Sequence, residues 1–279
     1  MDIFKNRSLS SCIGAAATYL ADNYKKVAAA TWPYALFAGV AFAAYSHFTT
    51  AVSVSDSGWL PLGVSGVAMW AAQTLLYASF SRLANGLGLW DNVKRVLGAS
   101  VVMILVLSAF AVAVSLLSVL FGVLLGSGTA ALWVVAAVAC IAFIAICIPM
   151  CNLLPWIVTK GGNPFKAFAP ALAGGFRHYG LLLGIFAAAA LVGAMASIVA
   201  ALPSAVVAVA NIAMHGLGGV SEALAGIPAP LSLLANSVSG FLMAYVSLFS
   251  FTAFVYGHGS IEVKSGRAFE NAVAKEGGE

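Results

Sequence analysis

Apolar residues run along this chain in six long stretches, at about 29–53, 59–82, 96–126, 130–157, 179–202 and 236–257. Polar segments, or ones carrying glycine and proline, separate them: "VSVSDSG" after the first, "NGLGLWDN" after the second, "GSGT" after the third and "TKGGNPFK" after the fourth. Within each stretch Ala, Leu, Val, Ile and Gly follow one another without the ten-residue alternation that marks a barrel strand. About 20 helical residues cross the hydrocarbon core of a bilayer. Inside that core every backbone N–H and C=O must be bonded internally, which leaves the helix as the form these runs take. The pattern predicts an all-α fold: a polytopic membrane helical bundle of six transmembrane helices, paired as three hairpins.

Composition agrees. Of the residues, 62% are hydrophobic and 8% charged, against roughly 25% charged in soluble domains. Mean hydropathy is +1.01. The opening "MDIFKNRSLSSCIGAAATYLADNYKK" carries charge at both ends and lacks the continuous apolar core of a signal peptide.

The charges are placed unevenly. Lys5, Arg7, Lys25 and Lys26 precede the first span, and Arg82, Lys94 and Arg95 lie between the second and third. Lys160, Lys166 and Arg177 lie between the fourth and fifth, and Lys264, Arg267 and Lys275 follow the sixth. The other three connections hold none of the thirteen. Lysine and arginine are retained on the cytoplasmic side, so both termini and the even connections are expected there, in a bacterial inner membrane. The net charge of +4 is thereby explained by threading, and no nucleic-acid partner is expected.

Each outbound span is entered through a basic or aromatic elbow: "DNYKKV" at Asp22, "DNVKRV" at Asp91 and "FRHYGL" at Phe176. Before the first, Leu9, Ile13, Ala16, Leu20 and Tyr24 recur every three or four positions, the stripe of an amphipathic helix. Before the third, Asn163 suits an N-cap and Pro164 the first helical turn, and Phe165, Phe168, Leu172 and Phe176 form one stripe. Such helices lie in the headgroup plane with cations reaching phosphate, so Lys25, Lys26, Lys94, Arg95, Lys166 and Arg177 are the expected headgroup contacts. The middle elbow, roughly Leu83 to Trp90, is shorter and is interrupted by Gly86 and Gly88. The resulting organisation is an amphipathic N-terminal helix at 1–28, a transmembrane domain at 29–257 and a polar cytoplasmic tail at 258–279. Small residues four apart, Gly180 with Gly184 and Gly122 with Gly126, predict close helix packing.

Little in the sequence points to catalysis. "GVSG" (Gly63 to Gly66) has the form found around the serine of rhomboid proteases, but a serine nucleophile needs a base within reach. The candidate base, His258, belongs to the opposite side of the bilayer from Ser65, and His47 has nothing to align it. The four histidines divide between the two sides, and no H-x-x-x-H or paired C-x-x-C occurs. Cys140, Cys147 and Cys151 share a face of the fourth span and read as packing residues. No cofactor is expected. Ion coupling needs an ionisable group at depth; none of the six spans has an Asp, Glu, Lys or Arg in its middle, and His47 is the one histidine set within a span. Polar faces remain on two spans: Gln73, Tyr77 and Ser81 on the second, and Ser239, Ser247 and Ser250 on the sixth. With His47, the residues Gln73, Tyr77, Ser247 and Ser250 are candidates to line a cavity. Between the fifth and sixth spans, 203–235 is too broken by glycine and proline to cross and too apolar for an open loop. It is expected to pack at the outer face, with His215 and Glu222 as its polar groups.

The elbow-and-hairpin plan, with its basic amphipathic start leading into "TWPY" (Thr31 to Tyr34), resembles bacterial six-span proteins of the YciC-like family. It is also similar to the membrane domain that accompanies some glycerophosphodiester phosphodiesterases. The opening "MDIFKNRSLSSCIGAA" resembles membrane proteins of Bacteroidetes of unassigned activity. The resemblance implies a helical membrane domain and brings no catalytic residue. The expected role is non-enzymatic: a bundle that assists a membrane partner or handles lipid or another apolar molecule, in contact with membrane lipids and with a second membrane protein or further copies of itself. The alternative is a transporter or channel for a small solute.

Overall fold

The computed structural model describes residues 2–54, 59–125, 129–216 and 229–276. Among them every regular element is an α-helix: α1 (Leu9–Asp22), α2 (Tyr24–Val54), α3 (Trp59–Asn85), α4 (Leu89–Leu125), α5 (Thr129–Met150), α6 (Leu153–Lys160), α7 (Pro164–Arg177), α8 (Tyr179–Ala200), α9 (Leu202–Gly216) and α10 (Ala229–Glu276). Six stretches are long and apolar enough to cross a membrane: α2, α3, α4, α5 with α6, α8 and α10. The chain is a multi-pass integral membrane protein whose spans follow one another as three hairpins.

Three boundaries depart from the apolar pattern, each for a local reason. The elbow before α4 is a turn of three residues, 86–88, instead of a helix. Gly86 has φ +71°, a conformation glycine adopts without penalty, and Asn85 Oδ1 accepts from the Leu87 N–H at 3.0 Å. The fourth span is broken. Pro149 lacks an N–H and crowds the preceding turn, Cys151 and Asn152 form a turn, and α6 restarts with Pro155 in its first turn. The last helix does not stop near 257. It continues to Glu276, and His258, Ser260 and Ile261 are buried along it, so these residues belong to packed helix and not to a free tail.

The chain divides into two compact units. One comprises Met1–Ala15, Trp90–Ala187 and Ala253–Glu279. Its core joins Ala99 and Val102 of α4, Leu153 and Ile157 of α6, and Ala167 and Ala171 of α7. Helix α7 starts where the N-cap residue and proline place it: Asn163 Oδ1 accepts from the Phe165 N–H at 2.9 Å, with Pro164 as the first helical residue. It turns a small face inward through Ala167, Ala171 and Gly175, spaced by four, while Phe165 and Phe176 stay exposed. A Cβ on Gly175 would stand 2.7 Å from the Pro149 carbonyl oxygen, so the glycine lets α7 lie directly on the proline break of α5. The chain before α1 is held on α10. The Arg7 N–H donates to Ser260 Oγ at 3.1 Å and the Ser260 hydroxyl donates to the Arg7 carbonyl at 3.0 Å. The Arg7 guanidinium lies over the Tyr256 ring, and the Ile3 carbonyl sits where a Cβ on Gly259 would go.

The other unit comprises Ala16–Leu89 and Ala188–Thr252. Here α2 and α3 pack along their length, tied where the Ser79 hydroxyl donates to the Ala30 carbonyl. Helices α2 and α10 cross at two glycines. A Cβ on Gly240 would stand 3.0 Å from the Gly39 Cα and 2.7 Å from the Phe42 Cβ, which is backbone-to-backbone contact. The glycines singled out in α8 behave differently. Gly180 faces open space, and Gly184 meets Leu9 of α1 in the first unit. The side chains around Gly122 and Gly126 lie outside the described residues.

Candidate functional site

Among the described residues, a cleft, a second cavity and two polar clusters are the candidates for chemistry. The first cavity is a cleft of about 510 Å³ between the first turns of α2 and the last turns of α3. Its walls are Lys26, Ala29 and Ala30 from α2, Ser79, Arg82 and Leu83 from α3, and Gly86 and Leu87 from the turn beyond. The volume exists because alanine, serine and glycine stand where larger side chains would fill it. Lys26 and Arg82 are exposed, and among the described residues neither has an ion-pair partner. The Ser79 hydroxyl is already spent on Ala30. The cleft therefore offers two free cations above an apolar floor, and no carboxylate lines it.

The second cavity, about 380 Å³, lies farther along α2, where α9 and the start of α10 meet it. Phe42 and Ser46 come from α2, Ser204 and several alanines from the α9 region, and Ser232 and Asn236 from α10. Among the described residues no charged one lines it. Ser239 and Ser204 join α10 to α9 at 3.3 Å beside it.

The polar faces read from the sequence on spans two and six meet. Gln73 Nε2 donates to Ser247 Oγ at 2.8 Å, and the Tyr77 hydroxyl interacts with both side chains. The Tyr77 ring stacks on Phe251 with centroids 4.8 Å apart. Ser250 is half-buried on α10, three positions beyond Ser247, and Ser81 donates back to the Tyr77 carbonyl. The arrangement ties α3 to α10 through side chains that satisfy one another.

In the first unit the α5–α6 break creates a buried junction. Asn152 Nδ2 donates to the Ala171 carbonyl at 3.0 Å, so its Oδ1 is left to accept from His258 Nδ1–H at 2.9 Å. Asn152 is also the N-cap residue of α6, yet its side chain makes no capping bond, since both ends are used to hold α7 and α10. His258 is fully buried, with the Trp156 ring 5.6 Å away, and its Nε2 has no partner among the described residues. One turn on, Lys160 pairs with Glu262 at 2.5 Å and lies over Trp156.

The remaining residues named from the sequence take varied places. Lys25, Lys94, Lys166 and Arg177 are exposed. Arg95 instead turns toward α6, where its guanidinium reaches the Val158 carbonyl at 3.3 Å beside Gly161. His47 is exposed and meets the edge of Phe48. Glu222 and the side chain of His215 lie outside the described residues. Ser65 is buried and donates to the Leu62 carbonyl. His178, between α7 and α8, has its pKa pushed below the usual imidazole value by burial first, then by Lys264 and Arg177. The sequence reading missed Asn152, although an amide between two prolines in "PMCNLLPW" marks a break that needs buried partners. It also missed Arg82 as a partner for Lys26, because the two are 56 positions apart and meet only when α2 and α3 pair. No protein-family model, curated protein or solved structure matches this chain.

Proposed function

We propose that this chain is a non-enzymatic protein of a bacterial inner membrane, with both termini on the cytoplasmic side, that handles lipid by seating an anionic headgroup between Lys26 and Arg82. In this reading it stands near the YciC-like six-span proteins. The observation that carries it is the cleft of about 510 Å³, with two cations that form no ion pair among the described residues above an apolar floor, a size typical of ligand sites. The positive-inside rule places Lys26 and Arg82 at the inner membrane surface, where anionic phosphate is concentrated. Extensive apolar surface on α4 and α8, including Leu116, Val119, Leu191 and Met195, suits acyl chains or a second membrane protein. The transporter reading is the weaker one, because Gln73 and Ser247 spend their polarity on each other.

Native mass spectrometry of the whole chain, released from nanodiscs of equal phosphatidylglycerol and phosphatidylcholine, tests the proposal. Phosphatidylglycerol should be retained preferentially. The Lys26→Gln/Arg82→Gln variant should lose that preference by about tenfold or more, as expected for charge-assisted bonds. Equal retention of the two lipids by the unsubstituted protein would overturn it.

A further inference from the structure

Three basic groups come together in the first unit, where α7 gives way to α8 against α10. His178 Nε2 lies 3.4 Å from Ser265 Oγ. That contact joins two basic positions to the imidazole, since Arg177 precedes His178 and Lys264 precedes Ser265. Among the described residues neither Arg177 nor Lys264 has an ion-pair partner, and the carboxylates of Asp2 and Glu262 are taken by Arg7 and Lys160. Every influence on the His178 imidazole opposes its protonation: burial first, then Lys264, then Arg177. Among the described residues no carboxylate counters them. Like charges drawn partly out of water repel more than freely solvated ones, because salt screens them less. His178 and Lys264 are half-buried and Arg177 is exposed, so an ion from solvent or from the membrane surface can reach the cluster. Two residues beyond His178, Gly180 faces open space.

We propose that Arg177, His178 and Lys264 form a second anion site, one that takes a phosphomonoester. Charge selects the class. Arg177 and Lys264 carry two fixed positive charges, and the imidazole can add a third. A phosphomonoester carries about −1.5 to −2 near neutral pH and has three acceptor oxygens. It therefore meets both cations and leaves an oxygen for an imidazole N–H. A phosphodiester or a carboxylate brings a single charge and leaves the cluster half neutralised. The bound anion replaces repulsion at the imidazole with attraction, so His178 takes up a proton as the site fills. The monoester belongs either to a lipid, as in phosphatidic acid, or to a free polyol phosphate.

Two arms separate these sources, and both read His178 itself, so lipid seated between Lys26 and Arg82 does not enter the result. Full-length protein carrying carbon-13 at histidine Cε1 is placed in phosphatidylcholine nanodiscs and titrated with pH by NMR. The His178 resonance is assigned by its loss in His178→Gln. In the first arm the nanodiscs are doped with phosphatidic acid or with phosphatidylglycerol, matched in zeta potential. Surface potential alone should raise the His178 pKa by about half a pK unit with either lipid. Phosphatidic acid should raise it by about one pK unit more, a tenfold change in proton affinity, which supports a lipid-borne monoester. In the second arm undoped nanodiscs receive glycerol 3-phosphate, and a saturable rise of about one pK unit supports a free one. Arg177→Gln/Lys264→Gln should abolish the extra rise in the arm that shows it. Arg177→Gln alone, at an exposed position, should reduce it and serves if the double variant does not fold. The proposal is overturned if phosphatidic acid acts no more strongly than phosphatidylglycerol and glycerol 3-phosphate has no effect. It is equally overturned if a folded variant responds as the unsubstituted protein does.

Discussion

Asn152 shows how one side chain can hold three helices. Its amide donates to α7 and accepts from α10 at the point where α5 gives way to α6. Replacing it with leucine leaves the Ala171 carbonyl and His258 Nδ1–H buried and unmet, at a cost of roughly 1–3 kcal/mol for each group. Asn152→Leu is expected to lower stability by about 2–4 kcal/mol in a denaturant titration of the detergent-solubilised protein. Adding His258→Leu should recover part of the loss, because removing both partners costs less than orphaning one; simple additivity of the two losses would refute the coupling. His178 provides a second residue-level test. Its folded pKa lies below the ordinary value of 6.5, so as pH falls the unfolded chain takes up the proton first. Its contribution to stability is complete above about pH 6.5 and declines as the pH drops through that value toward the depressed one. The melting temperature should therefore fall between pH 7 and pH 5, and His178→Gln should flatten part of that slope. At this scale the sequence was only partly legible. The spacing of Gln73 and Tyr77 marked a real polar face, but that Ser247 would meet it, or that Asn152 would meet His258, depends on contacts more than 100 positions apart.

Helix boundaries followed local chemistry and were mostly readable: Asn163 and Pro164 start α7 where their capping preferences place it. What apolar patterning cannot register is a break inside a continuously apolar run, because in such a run every face reads alike. The proline at 149 was the available signal for the α5–α6 turn. Small-residue spacing drew attention to Gly180, which faces open space, and to Gly184, which meets Leu9, but not to the backbone crossing at Gly39 and Gly240. Ala43 and Ala244, each four positions further on, complete the same spacing there, so the motif was present in the sequence at this crossing too. Gly240→Leu should force α2 and α10 apart and destabilise the protein by about 1–3 kcal/mol or more. Gly180→Ala, facing open space, should be neutral or slightly stabilising, by up to about 1 kcal/mol. Thermal melts of both variants in one detergent check this pair, and a Gly240→Leu protein as stable as the parent would contradict the crossing.

For the molecule as a whole, hydropathy alone was sufficient for six spans, because a bilayer imposes a length and a bonding rule that few sequences satisfy by accident. How the spans pack was not legible, since lipid-facing and protein-facing apolar residues have the same composition. The sidedness expected from the cations has its own test. With the native cysteines replaced, a membrane-impermeant maleimide should label Leu60→Cys from outside intact cells and should fail to label Lys166→Cys; the opposite result would invert the topology. The contact between Arg7 and Ser260 has a consequence of another kind. The two residues are 253 positions apart, and at 5–20 residues per second a ribosome needs roughly ten seconds to a minute to join them. Throughout that interval Arg7 and Ile3 have been made but the surface they rest on has not. The inserted chain thus stays open at this point until α10 is synthesised, and the clasp between its two ends is among the last contacts of its assembly to close.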